Sequence, residues 1–114
     1  MSTDQQKPPT RESQIETYLR QQVKIRGGEI RKVTWVGAAS APDRLVMLPN
    51  RDVLDMPGHT LWVETKAPGK AGTFPANAHE RAQAREHAKM RAVGQKVFVI
   101  DSYEGVDRLL NQYR

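Results

Sequence analysis

Residues 61–66 read Leu-Trp-Val-Glu-Thr-Lys, an apolar run that closes on a carboxylate and an ammonium two positions apart. Such a run, rich in β-branched and aromatic residues and followed by a Gly/Pro-rich stretch, predicts a strand over residues 60–66. The two-residue period of a strand then sends Glu64 and Lys66 to the same face. An acid and a base side by side at the end of a core strand call for a chemical reason.

Working outward, the segment "DRLVML" (43–48) predicts a second strand that ends at Pro49-Asn50. Asp43 stands at its start because Pro42 disfavours helix just before itself and cannot join a ladder. If these two strands are hairpin neighbours, the start of one lies beside the end of the other, and Asp43, Glu64 and Lys66 meet at one edge of the sheet. Two convergent carboxylates suit a hard octahedral cation such as Mg²⁺, whose remaining positions are left to water and a phosphate. On the same face, Lys66 can orient or deprotonate an attacking water and offset charge building on that phosphate. The strand end therefore reads as a site for cutting a phosphodiester.

The rest of the chain supplies the frame. Residues 1–10, polar with a Pro-Pro pair, read as a flexible tail. From Thr10 as N-cap, an amphipathic helix carries Ile15, Leu19, Gln22 and Val23 and stops at Gly27-Gly28. "EIRKVTWVG" (29–37) predicts the first strand, and "RDVLDMPGH" (51–59) the connection between the second and third. The loop "APGKAGTFPANA" (67–78) is long enough to be functional or mobile. A second helix is expected from about Pro75 to Val93, with Gly94 as its stop, then a strand "KVFVID" (96–101) buried on both faces. A terminal helix capped by Ser102 carries Val106, Leu109 and Leu110. The order α-β-β-β-α-β-α predicts an α/β domain over residues 11–114, with a mixed sheet flanked by helices.

Composition narrows the partners. The 114 residues allow one domain. Eighteen Lys and Arg against thirteen Asp and Glu give a net charge of +5, a balance that favours a polyanion. The absence of cysteine excludes a disulfide framework and thiolate chemistry. No run approaches the ~18 apolar residues of a membrane span, and the first ten residues lack an apolar signal core, so a soluble cytoplasmic protein is expected, without membrane association.

The Pro42-Asp43 pair, about twenty residues, then Glu64-x-Lys66 resembles the PD-(D/E)xK nuclease superfamily. Taken with "ESQIETYL", "APDRLVMLP", "LWVETKAPG", a helix bearing Gln83 and "GQKVFVIDSYEGVDRLL", nearly the whole chain from about residue 11 resembles a stand-alone VRR-NUC domain of the kind found in bacteriophage and prophage genomes. The resemblance implies a restriction-endonuclease-like core, a homodimer, no organic cofactor, and Mg²⁺- or Mn²⁺-dependent cutting of branched DNA such as four-way (Holliday) junctions. For a phage-encoded chain the expected place of action is the host cytoplasm. Asp43 matches the first metal-binding acid, Glu64 the second and Lys66 the catalytic lysine, while Thr65 would lend its backbone carbonyl to the metal. Glu12 and Glu16 are candidates for a further acid from the first helix, with Glu12 preferred, and Gln83 matches a glutamine able to touch Lys66 or the metal shell. Relatives often carry glycine two residues before the proline, where this chain has Ser40, so the loop presenting Asp43 is expected to differ.

Other features have plainer readings. His79 and His87 lack the spacing of a zinc site and read as partly buried packing or an exposed face. Arg81, Arg85 and Lys89 form a basic helical stripe, ordinarily a solvated face, which beside a nuclease centre becomes a candidate for phosphate contacts, as do Lys70 and Arg44. Trp35 and Trp62 read as core or dimer-interface residues. The rival readings are a sequence-specific restriction-type endonuclease on the same scaffold and a catalytically silent nucleic-acid-binding module.

Overall fold

The computed structural model describes residues 11–51, 53 and 55–113. The expected tail over residues 1–10, and Thr10 as a cap, lie outside these. Seven elements follow in the expected order: α1 (Glu12–Ile25), β1 (Glu29–Lys32), β2 (Arg44–Leu48), β3 (His59–Thr65), α2 (Ala78–Ala92), β4 (Val97–Ile100) and α3 (Tyr103–Asn111). The strands form one sheet in the order β1-β2-β3-β4. The first three are antiparallel neighbours, whereas β4 runs parallel to β3 after the crossover made by α2, so the sheet is mixed.

Alternation along the hairpin decides which face is the core. Val46 and Leu48 of β2 and Leu61 and Val63 of β3 are buried, and with Ile15, Leu19 and Val23 of α1 and Val106, Leu109 and Leu110 of α3 they form one cluster. Two helices therefore cover one face of the sheet. Across them Tyr18 of α1 donates its hydroxyl hydrogen to Asp107 Oδ1 of α3 at 2.8 Å. The other face is covered by α2, and there the Trp35 and Trp62 rings lie 5.1 Å apart and half-buried.

The end of α1 is set by its two glycines. Gly27 has φ +79°, its N–H donates to Lys24 O, and the Gly28 N–H reaches back to Val23 O at 2.9 Å, a Schellman arrangement that satisfies the last carbonyls. Gly28 then lies hard against β2, where a Cβ would come within 2.5 Å of the Met47 carbonyl oxygen.

Two boundaries and one expectation of burial differ from the sequence reading. The first strand ends at Lys32; Val33 still donates to Asp43 O at 2.8 Å, but Trp35 leaves the ladder and its indole N–H donates to Pro42 O at 2.8 Å. The second helix starts at Ala78 rather than near Pro75, because Asn77 is the stronger N-cap and accepts the Glu80 N–H at 2.8 Å. The apolar strand β4 is an edge strand with Phe98 and Val99 only half-buried, since among the described residues no strand pairs with it beyond β3. Among the described residues no helix is long and apolar enough to cross a membrane.

Gly28→Ala is expected to lower stability by about 1–3 kcal/mol, because the added methyl meets backbone rather than a yielding side chain. Urea unfolding monitored by circular dichroism measures it.

Candidate active site

The β2–β3 register brings the sequence candidates together. Arg44 pairs with Val63, so the next step of the antiparallel ladder sets Asp43 opposite Glu64. Leu61, Val63 and Thr65 are buried among the core helices, while Glu64 and Lys66 both meet side chains of α2 on the opposite face. The loop before Asp43 is pinned by the Trp35 indole on Pro42 O and by the Val33 N–H on Asp43 O.

Lys66 is 9% exposed and tightly surrounded. Its Nζ donates to Gln83 Oε1 at 2.6 Å, lies 3.1 Å from Glu80 Oε2, and sits 5.1 Å from the centre of the Phe74 ring. Glu64 Oε1 lies 3.4 Å from Nε2 of His87, which is fully buried and stacked on Phe74 at 5.6 Å between centroids. The expected touch between Gln83 and Lys66 is present in this geometry.

No family model matches the chain. Over 94 residues it is 39% identical to "Putative nuclease p44" of Acyrthosiphon pisum secondary endosymbiont phage 1, covering 82% of this chain and 86% of that protein. A solved "VRR_NUC domain" superposes with a TM-score of 0.68 and 32% identity, covering 92% of this chain and 99% of the other. The chain belongs to the VRR-NUC family.

Within this VRR-NUC fold the two acids of α1 part company. Glu16 commits both carboxylate oxygens, accepting the Thr65 hydroxyl at 2.8 Å and the Arg44 guanidinium at 2.8 Å, and so ties α1 to β2 and β3. Arg44, a phosphate-contact candidate in the sequence, is spent on that ion pair and on Asp43 Oδ2 at 3.7 Å, with a side chain only 17% exposed. Among the described residues Glu12 makes no side-chain hydrogen bond or ion pair. Its carboxyl is held above the usual range by partial burial first and then by the negative charges of Glu16, Glu64 and Asp43, against which Lys66 acts. Glu12 is thus within electrostatic reach of both hairpin carboxylates.

Among the described residues no three Asp, Glu or His side chains already form a metal-binding cluster. The donor set nevertheless suits a hard divalent ion: the groups are carboxylates, Asp43 and Glu64 are neighbours at one end of the hairpin, and their charges add to the burial that raises Glu12. The basic candidates are dispersed. Arg81, Arg85 and Lys89 are exposed on α2, opposite its buried residues Gln83 and His87, and Lys70 is exposed in the loop, which the Ala71 N–H fastens to Asp101 Oδ2 at 3.0 Å. A cleft of about 400 Å³ between α1 and β1 adds Arg20, Arg31 and Lys32, lined also by Glu16 and Arg44. Sequence reasoning missed this cleft, because its cations come from two segments that only packing brings together. It also missed Glu80, although Glu80, Gln83 and His87 stand at i, i+3 and i+7.

A carboxyl whose folded pKa is raised loses folding free energy as pH rises from its unfolded value through its folded one. In the metal-free protein Glu12→Gln is therefore expected to raise the melting temperature at neutral pH. The gain should vanish once pH falls below the ordinary carboxylate range, as thermal scans in EDTA across pH 3–7 measure.

Proposed function

We propose that this VRR-NUC chain is a divalent-metal-dependent, structure-selective endodeoxyribonuclease that hydrolyses phosphodiester bonds in branched DNA such as four-way junctions. One observation carries the reading: Asp43 falls opposite Glu64 on the hairpin, and Lys66 follows on the same face. Asp43, Glu64 and Glu12, with the Thr65 carbonyl, are the groups that would hold Mg²⁺ or Mn²⁺. When bound, the ion supplies polarisation of the phosphate and acidification of a water.

The chain's own residues do the rest. Lys66 presents an ammonium where negative charge builds on the phosphate, and its burial beside Phe74 weakens solvent screening there. Gln83 orients that ammonium from α2. Glu16 acts at one remove, fixing Thr65 and Arg44 so that the ends of β2 and β3 stay in register. Arg20, Arg31 and Lys32 of the α1–β1 cleft, Lys70 of the loop, and the Arg81, Arg85 and Lys89 stripe are the phosphate-contact surfaces, in keeping with the net charge of +5.

The family resemblance and the economy of the structure support selectivity for branched DNA. Each of the seven described elements serves the core or the site, and none of them is an added arm for reading base edges. A homodimer would place two centres at a fixed separation, suited to paired nicks on a symmetric junction.

The test compares a four-way junction with linear duplex of the same sequence, in Mg²⁺, Mn²⁺ or EDTA. Cutting of the junction alone, and only with metal, is expected. Asp43→Ala and Lys66→Ala should each lower the rate by at least about a hundred-fold with DNA affinity changed only a few-fold. Equal cutting of both substrates would remove structure selectivity, and loss of binding in parallel with cutting would assign these residues to phosphate contact.

A further inference from the structure

The buried face of α2 is polar where a packed helix is ordinarily apolar. Glu80, Gln83 and His87 line it, and of the buried residues of this helix only Met90 is apolar. Burying polar side chains costs free energy unless each finds a partner. Their partners are the two charged residues at the end of β3: Glu80 and Gln83 hold Lys66, and His87 faces Glu64.

Glu80 is placed by the main chain before it meets the lysine. Its Oε1 accepts the Ala76 N–H at 2.8 Å, and its own N–H is capped by Asn77 Oδ1 at 2.8 Å. The Ala76 hydrogen bond first, and Lys66 second, hold its carboxyl below the usual range. The second oxygen is left for Lys66 Nζ at 3.1 Å. A lysine carries considerable rotamer entropy on its flexible stem. Two oxygens at 2.6 and 3.1 Å and the Phe74 ring at 5.1 Å restrict that stem to one arrangement.

We infer that Glu80 is a positioning residue of the nuclease centre, acting through Lys66 by fixing its ammonium between the first turn of α2 and the Glu64 edge. The inference rests on the nuclease reading above and adds to it a residue outside the Pro-Asp/Glu-x-Lys pattern. Glu80 touches neither metal nor DNA in this scheme; it removes motion from the lysine that does.

Glu80→Gln separates the two parts of the residue, since the amide oxygen still accepts the Ala76 N–H while the charge facing Lys66 is lost. In single-turnover cleavage at saturating junction DNA the variant is expected to be slower by about ten- to a hundred-fold. KM and DNA affinity should stay within about two-fold, while the melting temperature at neutral pH should fall, because the ionised Glu80, held below its usual range, stabilises the folded state. In metal-free, DNA-free protein, the ¹⁵N–H cross-peak of the Lys66 ammonium, identified by its loss in Lys66→Arg, should shift or broaden in Glu80→Gln. An unchanged cross-peak, an unchanged rate, or a faster variant overturns the proposal, the last because Glu80 would then restrain the lysine rather than aim it. A lower melting temperature with an unaltered rate overturns it too, leaving Glu80 a helix-start residue only. If the wild-type protein itself cuts no DNA, the nuclease reading fails instead, and the cross-peak still decides whether Glu80 holds the lysine.

Discussion

The antiparallel register of β2 against β3, with Arg44 opposite Val63, governs both the stability and the chemistry of this chain. A strand side chain points to alternate faces, so a slip of one residue would exchange the two faces completely. In the observed register Val46, Leu48, Leu61 and Val63 enter the core beneath α1 and α3. The same register leaves Asp43 and Glu64 as neighbours at the hairpin edge and turns Glu64 and Lys66 toward α2. Burial of the apolar set therefore aligns the acids, because the slipped alternative would put charge into the core.

Electrostatics divides the α1 carboxylates by what surrounds them. Glu16 sits between a hydroxyl and a guanidinium, each at 2.8 Å, and is a structural link among three elements. Glu12, one turn earlier, has its charge opposed by Glu16, Glu64 and Asp43 and by partial burial. In the proposed reading a nearby cation would relieve that disadvantage, with Glu12 as the helix acid.

The second face of the sheet has a different economy. Its covering helix contributes polar buried side chains, and they are tolerated because β3 presents charged partners to them. His87 shows the cost: it is fully buried, Nε2 faces Glu64, and among the described residues Nδ1 has no hydrogen-bond partner. Packing on this face serves the site before it serves the core.

By itself the sequence determined the order of elements, the hairpin that joins Asp43 to Glu64, the common face of Glu64 and Lys66, and the Ser102 cap of α3. These follow from local rules, since side-chain period, proline and cap residues act within a few positions of themselves. The end of the first strand differs from the sequence reading because a tertiary partner competes with local preference, the Trp35 indole donating to Pro42 O, whereas the start of the second helix differs because Asn77 outranks Pro75 as a local cap. Only the tertiary structure decided that Glu16 binds Thr65 and Arg44, that Arg44 is withdrawn from solvent, that β4 is an edge, and that Glu80 and His87 stand behind Lys66 and Glu64. Each of these is a pairing between segments far apart in the chain, and hydrogen bonds and Coulomb forces act over a few ångströms of space, a distance that sequence separation does not encode.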